Sequence, residues 1–157
     1  MRIHKFYIAL FLLPILLYSK SHAQIHVVDD TGNDMVIDRP AQRIVTLAPY
    51  LAENIFSAGA GDKLVGTVDF SDYPSVAKQV RRVGNYTRLD LEAIVSLRPD
   101  LVIAWQSGNT PAHIERLRSL GIKVYMSEPS GLKEIATEVE RFGKLAGTEK
   151  EAAREAS

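Results

Sequence analysis

Five aromatic residues lie where strands are expected to end or, in one case, in a further loop before a helix. Phe70 and Tyr73 lie in "GTVDFSDYP" after a short apolar run, and Trp105 closes the run "LVIAW". Tyr50 follows "RIVTLAP", and Tyr86 lies in a loop ahead of a predicted helix. Because open α/β sheets bind ligands at the carboxyl ends of their strands, we expect these rings to gather at one rim. Such a rim suits a large, flat, partly apolar ligand, unless some of the rings only cover the core.

Catalytic and metal-binding motifs are weak by comparison. Gly59, Gly61 and Gly66 do not have the dinucleotide-binding spacing, and a nucleophile elbow, a zinc signature and a phosphate loop are absent from the sequence. His26 and His113 alone do not make a histidine-rich metal site. No pair of carboxylates stands out as an acid–base couple. We therefore expect no catalytic residues, no metal and no cofactor, and keep an exported hydrolase as the alternative from another class.

The composition is that of an ordinary globular protein. The 157 residues include 19 basic and 19 acidic side chains, no cysteine, and 46% hydrophobic residues. This balance does not favour nucleic acid or an anionic membrane surface, since both attract a basic patch. Without cysteine, neither a disulfide nor the usual bacterial lipid attachment is available.

The N-terminus has the three parts of an export signal. A short basic segment, "MRIHK", precedes the apolar residues 6–18, and "SKSHA" supplies small residues for cleavage. We predict a signal peptide over residues 1–23, cut between Ala23 and Gln24. A membrane anchor is the alternative, but the apolar stretch is shorter than the ~20 residues that span a bilayer. Removal of the signal leaves 16 of the 19 basic residues against 19 acidic ones, a mildly acidic product.

The remaining sequence alternates between strand-like and helix-like segments. An N-terminal hairpin is predicted over 25–37, because apolar residues flank a turn at Thr31, Gly32 and Asn33. Later strands are predicted over 43–49, 63–68, 101–105 and 122–126, with helices over 50–61, 89–100, 110–121 and 132–147, and another from Thr148. Alternating strands and helices predict an α/β fold with a mostly parallel sheet that helices cover on both faces.

Helix start signals are specific at two places. Thr110 precedes Pro111, an arrangement typical of an N-cap followed by the first helical residue. Thr148 and Glu151 have the spacing of a capping box, in which each side chain satisfies a backbone N–H of the other. The sequence stops at Ser157, within the helix that this box would open.

Four stretches together resemble the helical-backbone class of periplasmic substrate-binding proteins, which serve ATP-driven importers of cobalamin, iron-siderophores and haem. They are "RIVTLAP", "GAGDKLVG", "LDLEAIVSLRPDLVIAW" and "LRSLGIKVY". Within the class, "FSDYP", "VIAWQSGN" and "LRSLGIKV" are most similar to the cobalamin-binding members. The resemblance implies an N-terminal ligand-binding lobe over 24–147 and the start of the helix between two lobes over 148–157. Half of the ligand cleft would then lie beyond Ser157.

The resemblance also implies roles for the aromatic residues. Phe70 takes the place of a ring that contacts the corrin of cobalamin, where the class would lead us to expect tyrosine. Tyr86 stands where tryptophan is usual, and Trp105 matches a strand-end tryptophan directly. Pro49 and Tyr50 occupy the first strand-end loop, where a residue smaller than Tyr50 is expected. These residues, with Tyr73, form the predicted ligand-binding set.

A transporter contact and a location follow from the same resemblance. Members of the class dock on their permease through one surface glutamate per lobe, and Glu92 falls at that place here. The alternative is an ordinary first-turn glutamate that the helix dipole favours. The implied partners are cobalamin or a related corrinoid and the permease subunits of an ABC importer, with the protein a monomer in the periplasm.

Two features keep a different ligand open. The leading hairpin resembles the start of siderophore and haem receptors more than that of the compact cobalamin binders. In haem receptors of the class, a tyrosine in a turn similar to "DYP" ligates iron, so Tyr73 allows a haem interpretation. We expect cobalamin ahead of haem or a siderophore, on the strength of the resemblance.

Overall fold

The computed structural model describes residues 24–157 of the chain. The predicted export signal and its cleavage point lie outside these described residues. Within residues 24–157 the chain forms six strands: β1 (Ile25–Val28), β2 (Asp34–Ile37), β3 (Ile44–Thr46), β4 (Leu64–Gly66), β5 (Leu101–Trp105) and β6 (Val124–Ser127). Five α-helices accompany them: α1 (Pro49–Ser57), α2 (Leu91–Ser96), α3 (Pro111–Ser119), α4 (Leu132–Ala146) and α5 (Glu149–Glu155).

The central sheet has four parallel strands in the order β4-β3-β5-β6. β3 is a central strand of this sheet, and its Ile44 is opposite both Leu64 of β4 and Leu101 of β5. β6 joins the other side of β5, where Val102 is opposite Val124. The α/β class and the parallel sheet predicted from the sequence are confirmed.

Helices cover both faces of the sheet, which explains the continuous apolar runs in its strands. Neighbouring residues along a strand enter different clusters: Ile44 packs with α1 and α4, whereas Val45 packs with α2 and α3. The same alternation holds in β5, where Ile103 enters the first cluster and Val102 the second. The sheet is therefore buried on both sides and exposes only its edges to the surroundings.

The N-terminal hairpin is confirmed and is held against the end of β6. β1 and β2 pair antiparallel, with Val27 opposite Met35. The Asp29 carboxylate closes the turn by accepting hydrogen bonds from Thr31 and Asn33. Asp30 then reaches the body of the domain, because its carboxylate accepts from the Glu128 backbone N–H at 2.7 Å.

Thr110 and Thr148 precede helices as predicted, but the prediction that their side chains cap these helices is wrong. The Thr110 hydroxyl donates to the Thr87 carbonyl at 3.2 Å, and the Thr148 hydroxyl donates to the Ala58 carbonyl at 2.6 Å. Thr148 and Glu151 therefore form no capping box, although helices start directly after both threonines. Each hydroxyl instead satisfies a carbonyl from another element, a demand that local spacing does not reveal.

No helix among residues 24–157 combines the length and the apolar character needed to cross a bilayer.

The last two helices pack closely because of a glycine. Gly143 of α4 lies against Ala152 of α5, and a methyl group added at Gly143 would overlap the Ala152 side chain. Ala152 is itself fully buried. The absence of a side chain at Gly143 therefore sets how near α5 approaches α4.

Gly143→Ala should destabilise the fold by roughly 1–3 kcal/mol, because the added methyl group overpacks this helix contact. Urea unfolding followed by circular dichroism measures the change. Gly131→Ala is a control, since a methyl group there meets only the flexible end of Glu134. The exchange G143A/A152G, which moves the methyl group across the contact, should recover most of the loss. A stable single variant would show that the contact is loose.

Candidate functional site

The four parallel strands end at one edge of the sheet, and the loops that leave them form the candidate ligand surface. α1 begins at Pro49, directly after β3, so Pro49 and Tyr50 lie in the first turn of a helix and not in the predicted loop. The physical reason is that proline suits the first helical position, where its missing N–H is not needed. Tyr50 is therefore held by a helix, which fixes its direction more firmly than a loop does.

Three of the predicted rings meet at this edge. The ring centroids of Tyr50 and Trp105 are 6.3 Å apart and the rings are perpendicular, at 89°. Tyr86 contacts Trp105 from another loop, with centroids 5.8 Å apart and an angle of 54°. Both geometries are favourable for aromatic pairs. Tyr50, Trp105 and Tyr86 thus form one contiguous group, called here the aromatic cluster.

Asn109 fixes the position of the aromatic cluster. Its side-chain oxygen accepts a hydrogen bond from the Trp105 backbone N–H at 2.7 Å. Its amide group donates to the carbonyls of Leu47 and Tyr86 at 2.9 and 2.8 Å. One buried side chain therefore connects the end of β5 to the segments that carry the other two rings. Sequence reasoning missed Asn109, although it lies four residues after Trp105 in the quoted stretch "AWQSGN".

Phe70 and Tyr73 lie in the turn after β4 and point into solvent. Their exposed fractions are 76% and 70%, against partial or full burial of most other large apolar side chains among residues 24–157. The aromatic pairs found at this edge join Trp105 to Tyr50 and Tyr86, so Phe70 and Tyr73 stand apart from the aromatic cluster. The structure confirms that three rings gather and places the other two separately, on the same edge.

Buried hydroxyl groups hold the backbone of this turn. Thr46 of β3 contacts Thr67, and Thr67 contacts Ser71, each with 2.8 Å between the hydroxyl oxygens. Arg82 donates to the Ser71 carbonyl at 2.9 Å and to the Asp72 carboxylate at 3.2 Å. The backbone under the two exposed rings is therefore tied to the sheet.

The backbone at Phe70 is in the left-handed region, with φ of 66°. A bulky residue rarely adopts this conformation, which costs of order 1–3 kcal/mol. The side chain recovers little of this cost by burial, because it is mostly exposed. Strain combined with exposure indicates that the ring has a role other than stability.

A second layer of polar side chains lies beneath Tyr50. The Tyr50 and Ser127 hydroxyl oxygens are 2.9 Å apart, and Asn54 donates to the Glu138 carboxyl group at 2.9 Å. Burial raises the pKa of Tyr50 well above its usual range. Burial likewise raises the pKa of the Glu138 carboxyl group, against the lowering effect of Ser127 and Asn54.

Glu92 lies in the first turn of α2, on the surface. The helix is capped by Asp90, whose carboxylate accepts from the Ala93 N–H at 2.9 Å, so Glu92 is not needed as the cap. Beside it is an open hollow lined by Leu91, Val95, Leu120 and Arg116, in which Val95 and Leu120 are exposed. An acidic group next to exposed apolar side chains is suited to contact with another protein.

Metal binding has no support in the described part of the chain. No group of three or more His, Cys, Asp or Glu side chains among residues 24–157 is arranged to hold a metal ion.

Comparison with known proteins gives a consistent result. The vitamin B12-binding protein of Vibrio campbellii is 47% identical over 105 residues, which are 67% of this chain and 38% of that protein. The vitamin B12-binding protein of Vibrio cholerae is 46% identical over 101 residues, which are 64% of this chain and 37% of that protein. The chain thus spans less than half the length of these relatives.

Solved structures show the same fold. The periplasmic vitamin B12 binding protein BtuF of Vibrio cholerae matches with a TM-score of 0.71 and 40% identity, over 74% of this chain and 46% of that one. A periplasmic heme binding protein from Pseudomonas aeruginosa matches with a TM-score of 0.67 and 28% identity, over 73% of this chain and 41% of that one. In addition, residues 44–156 match the family model described as "Periplasmic binding protein". Since this match covers most of the chain, the protein belongs to the periplasmic binding protein family.

Proposed function

We propose that this protein is the substrate-binding component of an ABC importer, which captures cobalamin or a related corrinoid in the periplasm and delivers it to the membrane permease. The aromatic cluster at the carboxyl edge of the sheet carries this proposal, because it offers a preformed apolar surface to a large flat ligand. The names of the relatives add support for the corrinoid. Capture requires no bond to be made or broken, and we infer that the protein is not an enzyme.

The proposed ligand rim has two parts, the aromatic cluster and the exposed pair Phe70 and Tyr73. Trp105, Tyr50 and Tyr86 are held by mutual contact and by Asn109, so little side-chain freedom is lost when a ligand covers them. Phe70 and Tyr73 are exposed and supply apolar area that a ligand can cover. Pro49 contributes by starting the helix that carries Tyr50.

We also propose residues 24–147 as one ligand-binding lobe, with 148–157 as the start of a helix between lobes. The relatives' greater length supports this arrangement, in which a second lobe covers the opposite side of the ligand. Export would follow from the predicted signal at 1–23, cleaved between Ala23 and Gln24. With one lobe alone, binding should be weak, because a single rim buries only part of the ligand.

Haem is the second candidate ligand, and Tyr73 favours it. The side chain is exposed at the ligand edge, where its phenolic oxygen is free to approach an iron atom from solvent. A solved relative named as a heme binding protein has the same fold.

Titration with cyanocobalamin and with haemin separates the two ligands. We expect cyanocobalamin to quench the fluorescence of Trp105, the single tryptophan of the chain. Haemin should give no Soret shift that depends on Tyr73. A Soret shift that is lost in Tyr73→Phe, together with no response to cyanocobalamin, would transfer the proposal to haem.

Phe70→Gly should weaken cyanocobalamin binding roughly tenfold, since a lost ring contact is worth about 1–1.5 kcal/mol. Its free energy of unfolding should change by less than about 1 kcal/mol, because relief of the left-handed strain offsets the added freedom of the unfolded chain. Ligand titration and urea unfolding of the same samples measure the two effects.

Arg98→Gly is the matched control for Phe70→Gly. Arg98 also has a positive φ, of 48°, but it lies just before β5, at the opposite edge of the sheet. Relief of the left-handed backbone strain at Arg98 should leave ligand binding unchanged. If both variants weaken binding equally, Phe70 does not contact the ligand.

We propose Glu92 as the contact to the permease. Glu92→Lys should weaken binding to the purified importer at least tenfold, because the acidic group would be replaced by one that repels a basic partner surface. Glu134→Lys is the control, since Glu134 is likewise an exposed first-turn glutamate, on α4. Co-purification with the importer in lipid nanodiscs measures the effect. Equal losses in the two variants would mean that Glu92 is an ordinary first-turn glutamate and not the contact to the permease.

A further inference from the structure

Tyr50 of the aromatic cluster adjoins three buried polar side chains, and the four are called here the polar layer: Tyr50, Asn54, Ser127 and Glu138. Tyr50 and Asn54 are one turn apart on α1 and therefore face the same way. Ser127 ends β6, and Glu138 lies on α4, so three elements meet in this polar layer. Tyr50 is the only one of the four that also reaches the rim. The layer is therefore placed to act on the ligand surface from below.

Glu138 is the unusual member of the polar layer. Only 1% of its surface is exposed, and glutamate is almost never so buried without a full set of partners. Asn54 donates to Oε2 at 2.9 Å, but Oε1 is buried without a hydrogen-bond partner. The Ser127 hydroxyl lies close enough to lower the pKa of the carboxyl group, yet it is not in hydrogen-bonding geometry with Oε1.

The charges around Glu138 do not pair with it. Arg141, one turn further along α4, is directed to Asp30 at 2.7 Å and to the Tyr125 hydroxyl at 3.3 Å. Beyond the effect of burial, Asp30 on the hairpin turn raises the pKa of Glu138 and Arg141 lowers it, and Glu128 raises the pKa of Tyr50. A buried carboxylate with a single hydrogen bond is costly, and burial accordingly raises the pKa of Glu138 and shifts it toward the neutral acid.

A neutral carboxyl group would supply the donor that the layer lacks at Oε1. Its O–H is a donor, and the Ser127 oxygen beside it is an acceptor. Ser127 is in turn 2.9 Å from the Tyr50 hydroxyl. A proton donated by Glu138 to Ser127 would link the carboxyl group, through one serine, to the Tyr50 ring, which stands edge-on to Trp105.

We propose that Glu138 is a positioning residue for the ligand rim: acting through Ser127 and Asn54, its carboxyl group fixes the Tyr50 ring against Trp105. The relevance to ligand capture rests on the proposed function. The positioning itself does not, since it concerns the ligand-free protein.

A double-mutant cycle on Trp105 fluorescence tests the positioning. Glu138→Leu, which resembles the side chain in size and has no polar group, should shift the Trp105 emission and lower its anisotropy. Glu138→Gln should keep the wild-type signal, because its amide supplies both a donor and an acceptor. Tyr50→Phe breaks the same link at the other end, so the change caused by Glu138→Leu should vanish in that background. Additive changes, or no change in E138L, would overturn the proposal.

Ser127→Ala keeps the test decisive if E138L does not fold. This variant removes only the hydroxyl group between Glu138 and Tyr50 and should reproduce the Y50F signal. A wild-type signal in S127A would overturn the proposal as well. Cyanocobalamin titration of the same variants is a separate test: unchanged affinity with an altered Trp105 signal would count against the proposed ligand surface and not against the positioning.

The protonation of Glu138 predicts a pH dependence of stability. Because the folded-state pKa lies above the ordinary value of 4.5, the neutral form stabilises the fold fully below pH 4.5. This stabilisation is lost as the pH rises through the folded-state pKa. Urea unfolding across this range should therefore show the stability of wild type relative to E138Q falling with increasing pH. Glu140→Gln, on the exposed face of α4, is the matched control, and parallel profiles for wild type and E138Q would contradict a raised Glu138 pKa.

Discussion

The parallel pairing of β3 with β5 is the constraint on which the whole ligand edge depends. It aligns Thr46 with Ile103 and continues past the strand, where the Leu47 N–H donates to the Ile103 carbonyl at 2.9 Å. The Leu47 carbonyl then accepts from Asn109, which also holds Tyr86 and Trp105. One register thus fixes the start of α1, the end of β5 and the loop that carries Tyr86. A slip of one residue in this pairing would turn the side chains of the slipped strand to the other face of the sheet.

Much of this arrangement could be predicted from the sequence, because the relevant signals are local. Short apolar runs rich in branched residues mark strands that are buried on both faces, and the helices between them force the strands to be parallel. Parallel strands must end at one edge, so element order predicts aromatic residues at that edge, but not that Tyr50, Tyr86 and Trp105 are the three that meet. The hairpin could likewise be predicted, since its turn residues and its alternating apolar residues lie within one short segment.

The features that escaped prediction depend on contacts between distant segments. Thr148 has the spacing of a capping residue, yet its hydroxyl serves Ala58, ninety positions away in sequence. Asn109 resembles any polar loop residue until three backbone groups from different elements converge on its amide. Glu138 falls on a helix that is amphipathic in pattern, and a glutamate there is expected in solvent. Its burial arises because Asn54 and Ser127 make a polar niche that no single segment encodes.

The two parts of the rim are held by different physics, and this difference has a consequence for recognition. The aromatic cluster is fixed from below, by Asn109 and by the polar layer at Tyr50, so its shape is set before a ligand arrives. Phe70 and Tyr73 are tied to the sheet through their backbone, while their rings are largely exposed to solvent. Under the proposed function, a flat ligand would take its position on the cluster, and the exposed rings would contact the substituents at its edge. Under the same proposed function, rigid support on one side and exposed rings on the other would let one rim accept ligands of similar size and different periphery.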